Sequence, residues 1–171
     1  MNTNKLIKHI RDKYSTKDFI PLHAPTFNGN EIKYVSDTIN STFVSSIGEY
    51  VDLFEKEIEY YTNSPIAVST VNGTAALHAS LYMSGVKHGD LVITQALTFV
   101  ATCNAIFHIG AEPILIDVSS KSLGLCPTSL NKWLNENVKL INGRSVLKKT
   151  KQKIKAVVVM HTFGHPAEID E

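Results

Sequence analysis

The first part of the chain has apolar residues at the spacing of amphipathic helices. Ile32, Val35 and Ile39 form a one-sided apolar stripe, and the preceding Asn28-Gly29-Asn30-Glu31 is typical of a helix start. An earlier segment with helical apolar spacing runs from Leu6 to Ile10, and a break at Phe19-Ile20-Pro21 separates the two. The pattern therefore predicts three helices, over residues 6–14, 28–39 and 50–61.

The pattern changes after residue 65, where short apolar runs alternate with helical segments. The runs are continuous rather than alternating, which is typical of strands buried on both faces of a parallel sheet. We predict strands over residues 66–69, 91–94, 113–117 and 154–160. Helices are predicted over residues 75–81 and 99–109, and from a Thr128 cap through Leu130, Trp133 and Leu134. This alternation predicts an α/β fold with a mostly parallel sheet.

Two regions follow from this organisation. Residues 1–48 are expected to form an N-terminal helical segment, and residues 49–171 the first part of a larger α/β domain. Residues 142–153 include five basic side chains among twelve and are predicted to be a surface connection. No segment after the last predicted strand closes the sheet, so we expect the chain to be the front of a longer protein.

Composition and charge exclude several classes of protein. Hydrophobic residues make up 43% and charged residues 19%, which is an ordinary globular composition. The 17 Lys and Arg residues nearly balance the 16 Asp and Glu residues, so charge gives no argument for nucleic acid or an anionic membrane as partner. The sequence contains no run of about 18 apolar residues, so it predicts no membrane span. Cys103 and Cys126 form no CxxC pattern and are expected to be free thiols in the cytoplasm.

The most informative stretch runs from Ser69 to Leu77, between a predicted strand and a helix. Gly73 would let the backbone approach a phosphate closely, and Thr74 would add a hydroxyl donor. The N–H groups at a helix start lack partners within the helix, so this turn is a candidate anion site. A simple helix cap formed by Asn72 and Thr74 also explains the same residues. The GxGxxG dinucleotide motif and the GK[ST] of a Walker A loop are both absent.

A second candidate is Phe99, in the stretch Thr98 to Thr102 that follows the next predicted strand. An aromatic side chain there could stack on a flat cofactor ring, although a Phe at a helix start is more often part of a core. The carboxyl ends of parallel strands share one edge of a sheet, so Phe99 and the turn at Gly73 are expected at the same edge.

Three other groups of residues have simpler interpretations. His161 and His165 have a spacing that suits a metal on a helix, but Gly164 and Pro166 predict a loop there, and we expect no metal site. The basic run from Lys148 to Lys155 contains no aromatic residue, which favours a solvated loop over a nucleic-acid surface. Cys103 has no evident base partner and is not expected to be a nucleophile.

The order and spacing of these motifs resemble the sugar-nucleotide aminotransferases of the DegT/DnrJ/StrS group. Four stretches carry the resemblance: NGTAALHA at 72–79, TFVAT at 98–102, PILIDV at 113–118 and HTFGHPA at 161–167. A further stretch, FVSSIG at 43–48, is similar to the family's segment near the substrate entrance. Within the group, the motifs are most similar to the 4-aminotransferases of nonulosonic (legionaminic-type) acid synthesis.

The resemblance implies a fold-type I large domain, with three layers α/β/α around a mostly parallel sheet, incomplete in this chain. It implies pyridoxal 5'-phosphate (PLP) as cofactor. By position, Gly73, Thr74 and Ala75 would hold the phosphate and Phe99 would stack on the pyridine ring. Ser45 and Ser46 would lie near the substrate.

The resemblance also places His161 and Gly164 at the end of a strand near the cofactor. It also implies a homodimer when full length, while the absence of a signal peptide or an apolar membrane span predicts a cytoplasmic protein. In the family the full-length enzyme transfers an amino group from an amino acid, which we expect to be glutamate, to a keto-sugar nucleotide in bacterial surface-polysaccharide or amino-sugar biosynthesis.

The family's Asp partner of the pyridine nitrogen and its Schiff-base lysine fall beyond Asp170. This chain therefore contains none of the expected catalytic residues, and we predict that by itself it is inactive as a transaminase. The alternative interpretation is a non-catalytic truncated paralogue that acts as a binding or interaction module.

Overall fold

The structure is a computed structural model that describes residues 2–22 and 24–171. The chain divides into two compact units, one ending at Asn63 and the other spanning Ser64–Glu171. The sequence placed a boundary after Gly48, whereas the third helix belongs to the first unit in this division.

The first unit contains three helices, as the apolar spacing predicted: α1 (Thr3–Tyr14), α2 (Glu31–Ser41) and α3 (Glu49–Thr62). Each ends at a residue in the left-handed conformation. The hydroxyl of Tyr50 donates a hydrogen bond to Asp37 Oδ2 at 3.1 Å, and the Tyr34 and Tyr50 rings lie 4.9 Å apart. These contacts join α2 to α3. None of the three helices has a buried residue, so their apolar stripes are exposed.

The second unit alternates helices and strands. Its elements are α4 (Gly73–Met83), β1 (Leu91–Gln95), α5 (Val100–His108), β2 (Glu112–Ile116), α6 (Pro127–Asn137), β3 (Val138–Ile141), β4 (Arg144–Leu147) and β5 (Ile154–Val158). A short 3₁₀ turn at Thr162–Gly164 follows. The predicted α/β class is confirmed, as are all three helices and three of the four strands.

The main sheet has three parallel strands in the order β2-β1-β5. All five residues of the central strand β1 are buried. Val92 packs with α4 and α5 on one face, and Ile93 packs with α6 on the other. This is the three-layer α/β/α arrangement, and burial on both faces explains why the strands read as continuous apolar runs.

Helix α6 covers its face of the sheet through the residues that the sequence singled out. Leu130, Trp133 and Leu134 pack against the buried cluster of Ile93, Ile116 and Leu125. These three buried apolar partners confirm the predicted core role of the Trp133 stripe.

Three predictions of local structure are wrong. Residues 66–69 form no strand, and Ile66 and Val68 are exposed, because neither edge of the sheet pairs with them. The cap of α6 is Cys126 rather than Thr128, since Pro127 occupies the first turn, where its missing N–H costs nothing. The basic stretch 142–153 is not a plain loop, because β4 lies within it and pairs antiparallel with β3.

Thr94, in the middle of the sheet, is fully buried, and its hydroxyl has no hydrogen-bond partner in the part of the chain that the structure describes. Burying an unpaired hydroxyl costs roughly 1–3 kcal/mol. We expect Thr94→Val, which keeps the side-chain shape, to raise the free energy of unfolding by about 1 kcal/mol. Urea denaturation measures this change.

Thr102→Val is the matched control for Thr94→Val. Thr102 is also buried, but its hydroxyl lies 2.9 Å from the hydroxyl of Thr98. Its removal is expected to lower stability. A loss of stability in both variants would mean that the Thr94 hydroxyl has a partner.

Candidate functional site

Helices α4 and α5 begin at the same edge of the sheet. The N–H of Gly89, just before β1, donates to the carbonyl of Gly110, just after α5, at 2.8 Å. Both helices pack on one face of the sheet and end at this amino edge. Their first turns therefore point to the carboxyl edge, where open α/β sheets bind ligands.

The close approach at the amino edge depends on Gly110. Its φ is +75°, and an added Cβ would lie 2.6 Å from His88 Cδ2. Only glycine fits such a contact at a left-handed backbone position without strain. In the sequence, Gly110 stands directly after the helix predicted over residues 99–109.

At the carboxyl edge, the first turn of α4 offers free hydrogen-bond donors. Asn72 caps the helix, and its Oδ1 accepts from the N–H of Ala75 at 2.9 Å. Within residues 2–22 and 24–171, no hydrogen-bond partner is found for the N–H groups of Gly73 and Thr74 or for the Thr74 hydroxyl. Gly73 is exposed, and a Cβ added there would meet no atom within 4 Å, so the first residue of the helix has open space beside it.

Both interpretations of this turn therefore have support. Asn72 is a cap, as the simpler interpretation held, while Thr74 takes no part in capping. An anion in front of the first turn would meet two backbone N–H groups, one hydroxyl and the positive end of the helix dipole. The N–H of Ala75 is the exception, because Asn72 already occupies it.

Phe99 is the N-cap of α5 and is 70% exposed, so it is not a core residue. Its backbone is held from the segment that follows β5: the Phe99 N–H donates to Met160 Sδ at 3.4 Å, and the Thr98 hydroxyl donates to the same sulfur at 3.2 Å. A fixed backbone with an exposed ring is suited to stacking on a flat ligand.

The segment after β5 brings His161 to the same edge. His161 Nδ1 accepts from the N–H of Ala167 at 3.0 Å, which places the proton of a neutral ring on Nε2. Gly164, at φ +83°, completes the turn. His161 and Gly164 thus lie just beyond the end of a strand, as the sequence predicted.

Ser45 and Ser46 lie in the first unit, in the bend between α2 and α3, and both are exposed. Ser45 Oγ accepts from the N–H of Ile47 at 3.4 Å. Their assignment to the substrate stays a prediction.

An ion pair ties two of the segments beyond the strands. Lys121 Nζ, after β2, lies 3.2 Å from Glu168 Oε1, after β5. Hydrogen bonding by Ser119 and then by Lys121 holds the pKa of Glu168 below its ordinary value. Above that pKa the pair is charged and intact, and it weakens as the pH falls through it. Because Lys121 is exposed, its contribution to stability is small.

Sequence reasoning missed one residue at this edge. Gln95 ends the central strand, is fully buried and makes five hydrogen bonds to the segments beyond β1, β2 and β5. The available signal was a single polar side chain at the end of an apolar run, Leu91 to Thr94.

The remaining candidates have structural roles or none. Lys148 Nζ donates to the carbonyls of Asn135 and Glu136 at 2.8 Å, so it covers the carboxyl end of α6. Cys103 and Cys126 are free thiols, as predicted. Among the described residues, no group of three or more His, Cys, Asp or Glu side chains could hold a metal ion. No helix in the same residues is long and apolar enough to cross a membrane.

Comparison with known proteins gives one consistent family. The model of the DegT/DnrJ/EryC1/StrS aminotransferase family matches residues 25–171. GDP-perosamine synthase of Escherichia coli O157:H7 is 31% identical over 153 residues, which cover 90% of this chain and 38% of that protein. The chain thus spans well under half the length of this relative.

Two solved structures are also similar. The aminotransferase from Psychrobacter cryohalolentis superposes with a TM-score of 0.70 at 28% identity, over 90% of this chain and 34% of that one. The PMP form of Spr1654 from Streptococcus pneumoniae gives a TM-score of 0.69 at 26% identity, over 88% and 34% of the two chains.

Proposed function

Because the chain belongs to the DegT/DnrJ/EryC1/StrS aminotransferase family, whose enzymes depend on PLP, we propose that PLP lies between the first turn of α4 and Phe99. One observation carries this proposal. In the described part of the chain, the N–H groups of Gly73 and Thr74 and the Thr74 hydroxyl have no hydrogen-bond partner, and a Cβ added at Gly73 would meet no atom within 4 Å. A phosphate monoester is the ligand that such a turn suits best.

The described residues fit the cofactor in separate roles. Gly73 and Thr74 would hold the phosphate, and Phe99 would cover one face of the pyridine ring. Ala75 would contribute its N–H only by releasing Asn72, so we assign it a smaller share of the binding. When bound, PLP supplies an electron sink for amino transfer.

The substrates follow from the family and not from contacts in this chain. We propose that the complete enzyme transfers an amino group from an amino acid, glutamate, to a keto-sugar nucleotide, in the biosynthesis of amino sugars for a bacterial surface polysaccharide. We assign Ser45 and Ser46 to the sugar-nucleotide side. The complete enzyme is proposed to be a cytoplasmic homodimer, and this chain by itself to lack transaminase activity.

The cofactor assignment is tested by titrating this chain with PLP and following the absorbance of the bound ring. Ring stacking is worth roughly 0.5–1.5 kcal/mol, so Phe99→Ala is expected to weaken PLP binding about three- to tenfold. Phe107→Ala is the control, because Phe107 is also an exposed Phe of α5 but lies near the opposite end of the helix.

Equal loss of affinity in the two Phe variants would contradict the stacking role of Phe99. If the unaltered chain binds neither PLP nor inorganic phosphate, the proposed position of the cofactor is wrong.

A further inference from the structure

Gln95 joins the three segments that form the carboxyl edge of the sheet. Its Nε2 donates to the carbonyl of Leu97 at 2.9 Å, beyond β1, and to the carbonyl of Leu123 at 3.2 Å, beyond β2. Nε2 also donates to the Thr162 hydroxyl at 2.9 Å, beyond β5. Each of the three parallel strands therefore has its following segment tied to one amide group.

The other side of the same amide accepts two backbone hydrogen bonds. Gln95 Oε1 receives the N–H of Leu125 at 3.1 Å and the N–H of Met160 at 3.0 Å. The side chain is fully buried, so water does not compete for these bonds. The two N–H groups of Nε2 face three acceptors, so one N–H is shared between two of them, and the whole hydrogen-bonding capacity of the amide is used.

Two relays extend from Gln95 toward the proposed cofactor site. Met160, held by Gln95 through its N–H, receives the Phe99 N–H and the Thr98 hydroxyl at its sulfur. Thr162, which accepts from Gln95 Nε2, donates a hydrogen bond from its own hydroxyl to the carbonyl of Leu123 at 2.8 Å.

The second relay also fixes an unusual turn. Thr162 is 1% exposed and begins the 3₁₀ turn in which Phe163 has a φ of +54°. A left-handed conformation at a bulky residue persists only where the surroundings hold it. The bonds of Thr162 to Gln95 and Leu123 are those surroundings.

We propose that Gln95 is a positioning residue for the cofactor site, which sets the place of Phe99 and of the His161–Gly164 turn without touching the cofactor. This inference rests on the proposed function, which places the cofactor beside Phe99 and the His161–Gly164 turn. Among the described residues, Gln95 has no hydrogen bond to the first turn of α4, so it acts on the ring side of the site and leaves the phosphate side alone.

The test compares Gln95→Met with the unaltered chain in two titrations, one with PLP and one with inorganic phosphate. Gln95→Met keeps the length of the side chain and removes all five hydrogen bonds. Affinity for PLP is expected to fall by at least about tenfold, because small displacements of positioning groups have large effects. Affinity for inorganic phosphate is expected to stay within about twofold, since the donors of α4 do not depend on Gln95.

Thr94→Val is the matched control. Thr94 precedes Gln95 in the same strand and is equally buried, but its hydroxyl makes no hydrogen bond among the described residues. Both affinities are expected to be unchanged in this variant. A parallel loss of phosphate and PLP affinity in Gln95→Met would show a general structural defect and would overturn the inference, as would an unchanged PLP affinity.

Amide hydrogen exchange gives a readout that needs no ligand. In Gln95→Met, exchange is expected to become faster in residues 97–102 and 160–164 and at Leu125. The core amides of Ala105 and Ile106 are expected to stay protected. If the unaltered chain binds phosphate but not PLP, the proposed function fails while this exchange pattern still decides the role of Gln95.

Loss of protection throughout β1 and α5, or no change at residues 160–164, would overturn the inference. Thr162→Val serves as a milder variant if Gln95→Met does not fold. It removes only the bonds from Gln95 Nε2 and to Leu123, and is expected to give the same exchange pattern with a smaller increase in rate.

Discussion

Gly73→Asp is expected to weaken phosphate and PLP binding by at least about 30-fold while leaving the chain at least as stable as before. Gly73 is the first residue of α4, and a Cβ there would meet no atom within 4 Å. The new carboxylate would sit at the positive end of the helix dipole, which stabilises a helix by roughly 0.3–1 kcal/mol. It would also occupy the place of the phosphate.

The binding loss comes from charge repulsion. Two like unit charges about 4 Å apart repel by roughly 1–4 kcal/mol between bulk water and a protein surface, and a phosphate monoester carries nearly two charges. We therefore expect the dissociation constant to rise by at least about 30-fold. Titration with inorganic phosphate and with PLP measures the loss, and thermal unfolding measures the stability.

Gly73→Asn separates charge from size. It has the same shape as Gly73→Asp without the carboxylate, so it is expected to keep most of the phosphate affinity. Equal weakening by Asn and Asp would mean that bulk alone blocks the site. Unchanged binding in Gly73→Asp would place the phosphate away from α4 and would contradict the proposed function.

Ile106→Ala is expected to have the largest effect on stability, lowering the free energy of unfolding by about 3–4 kcal/mol. Ile106 is fully buried on α5 and packs with Leu81, Val92 and Ala105 between the helix layer and the sheet. Its truncation removes three carbons and leaves a cavity that close-packed neighbours cannot fill. A loss of this size is a large part of the roughly 5–15 kcal/mol of a typical domain.

Urea denaturation of Ile106→Ala is compared with that of Ile66→Ala, which deletes the same atoms from a side chain that is 71% exposed. The control is expected to change stability by less than about 0.5 kcal/mol. A similar loss in both variants would mean that residues 66–69 pack inside the protein, as the predicted strand required.

Three residues of the candidate site could be predicted from the sequence alone. Gly73, Thr74 and Phe99 lie at the starts of helices, and the switch from apolar run to helix marks such places along the chain. The structure puts the first turn of α4 and the start of α5 at one edge of the sheet, as expected from parallel topology. The helix cap formed by Asn72 could also be predicted, because it is a contact between residues three positions apart.

The role of Gln95 could not be predicted from the sequence, because four of its hydrogen-bond partners are far away along the chain. Its bonds to Leu123, Leu125, Met160 and Thr162 span 28, 30, 65 and 67 residues. Contacts at such separations leave no periodic trace in the neighbouring residues. The hairpin of β3 and β4 was missed for a different reason, because its paired residues are only three to nine positions apart. Residues 142–153, which contain β4, were interpreted from their polar, basic composition alone.

The sequence by itself determined the helices, the three strands of the main sheet and the motifs of an aminotransferase family, because periodicity and capping act between near neighbours. Only the tertiary structure decided that residues 66–69 stay outside the sheet, since a strand exists only where another strand offers it hydrogen bonds. It also decided that one buried glutamine ties three loops together, because the free energy of a buried polar group depends on the partners that the fold brings to it.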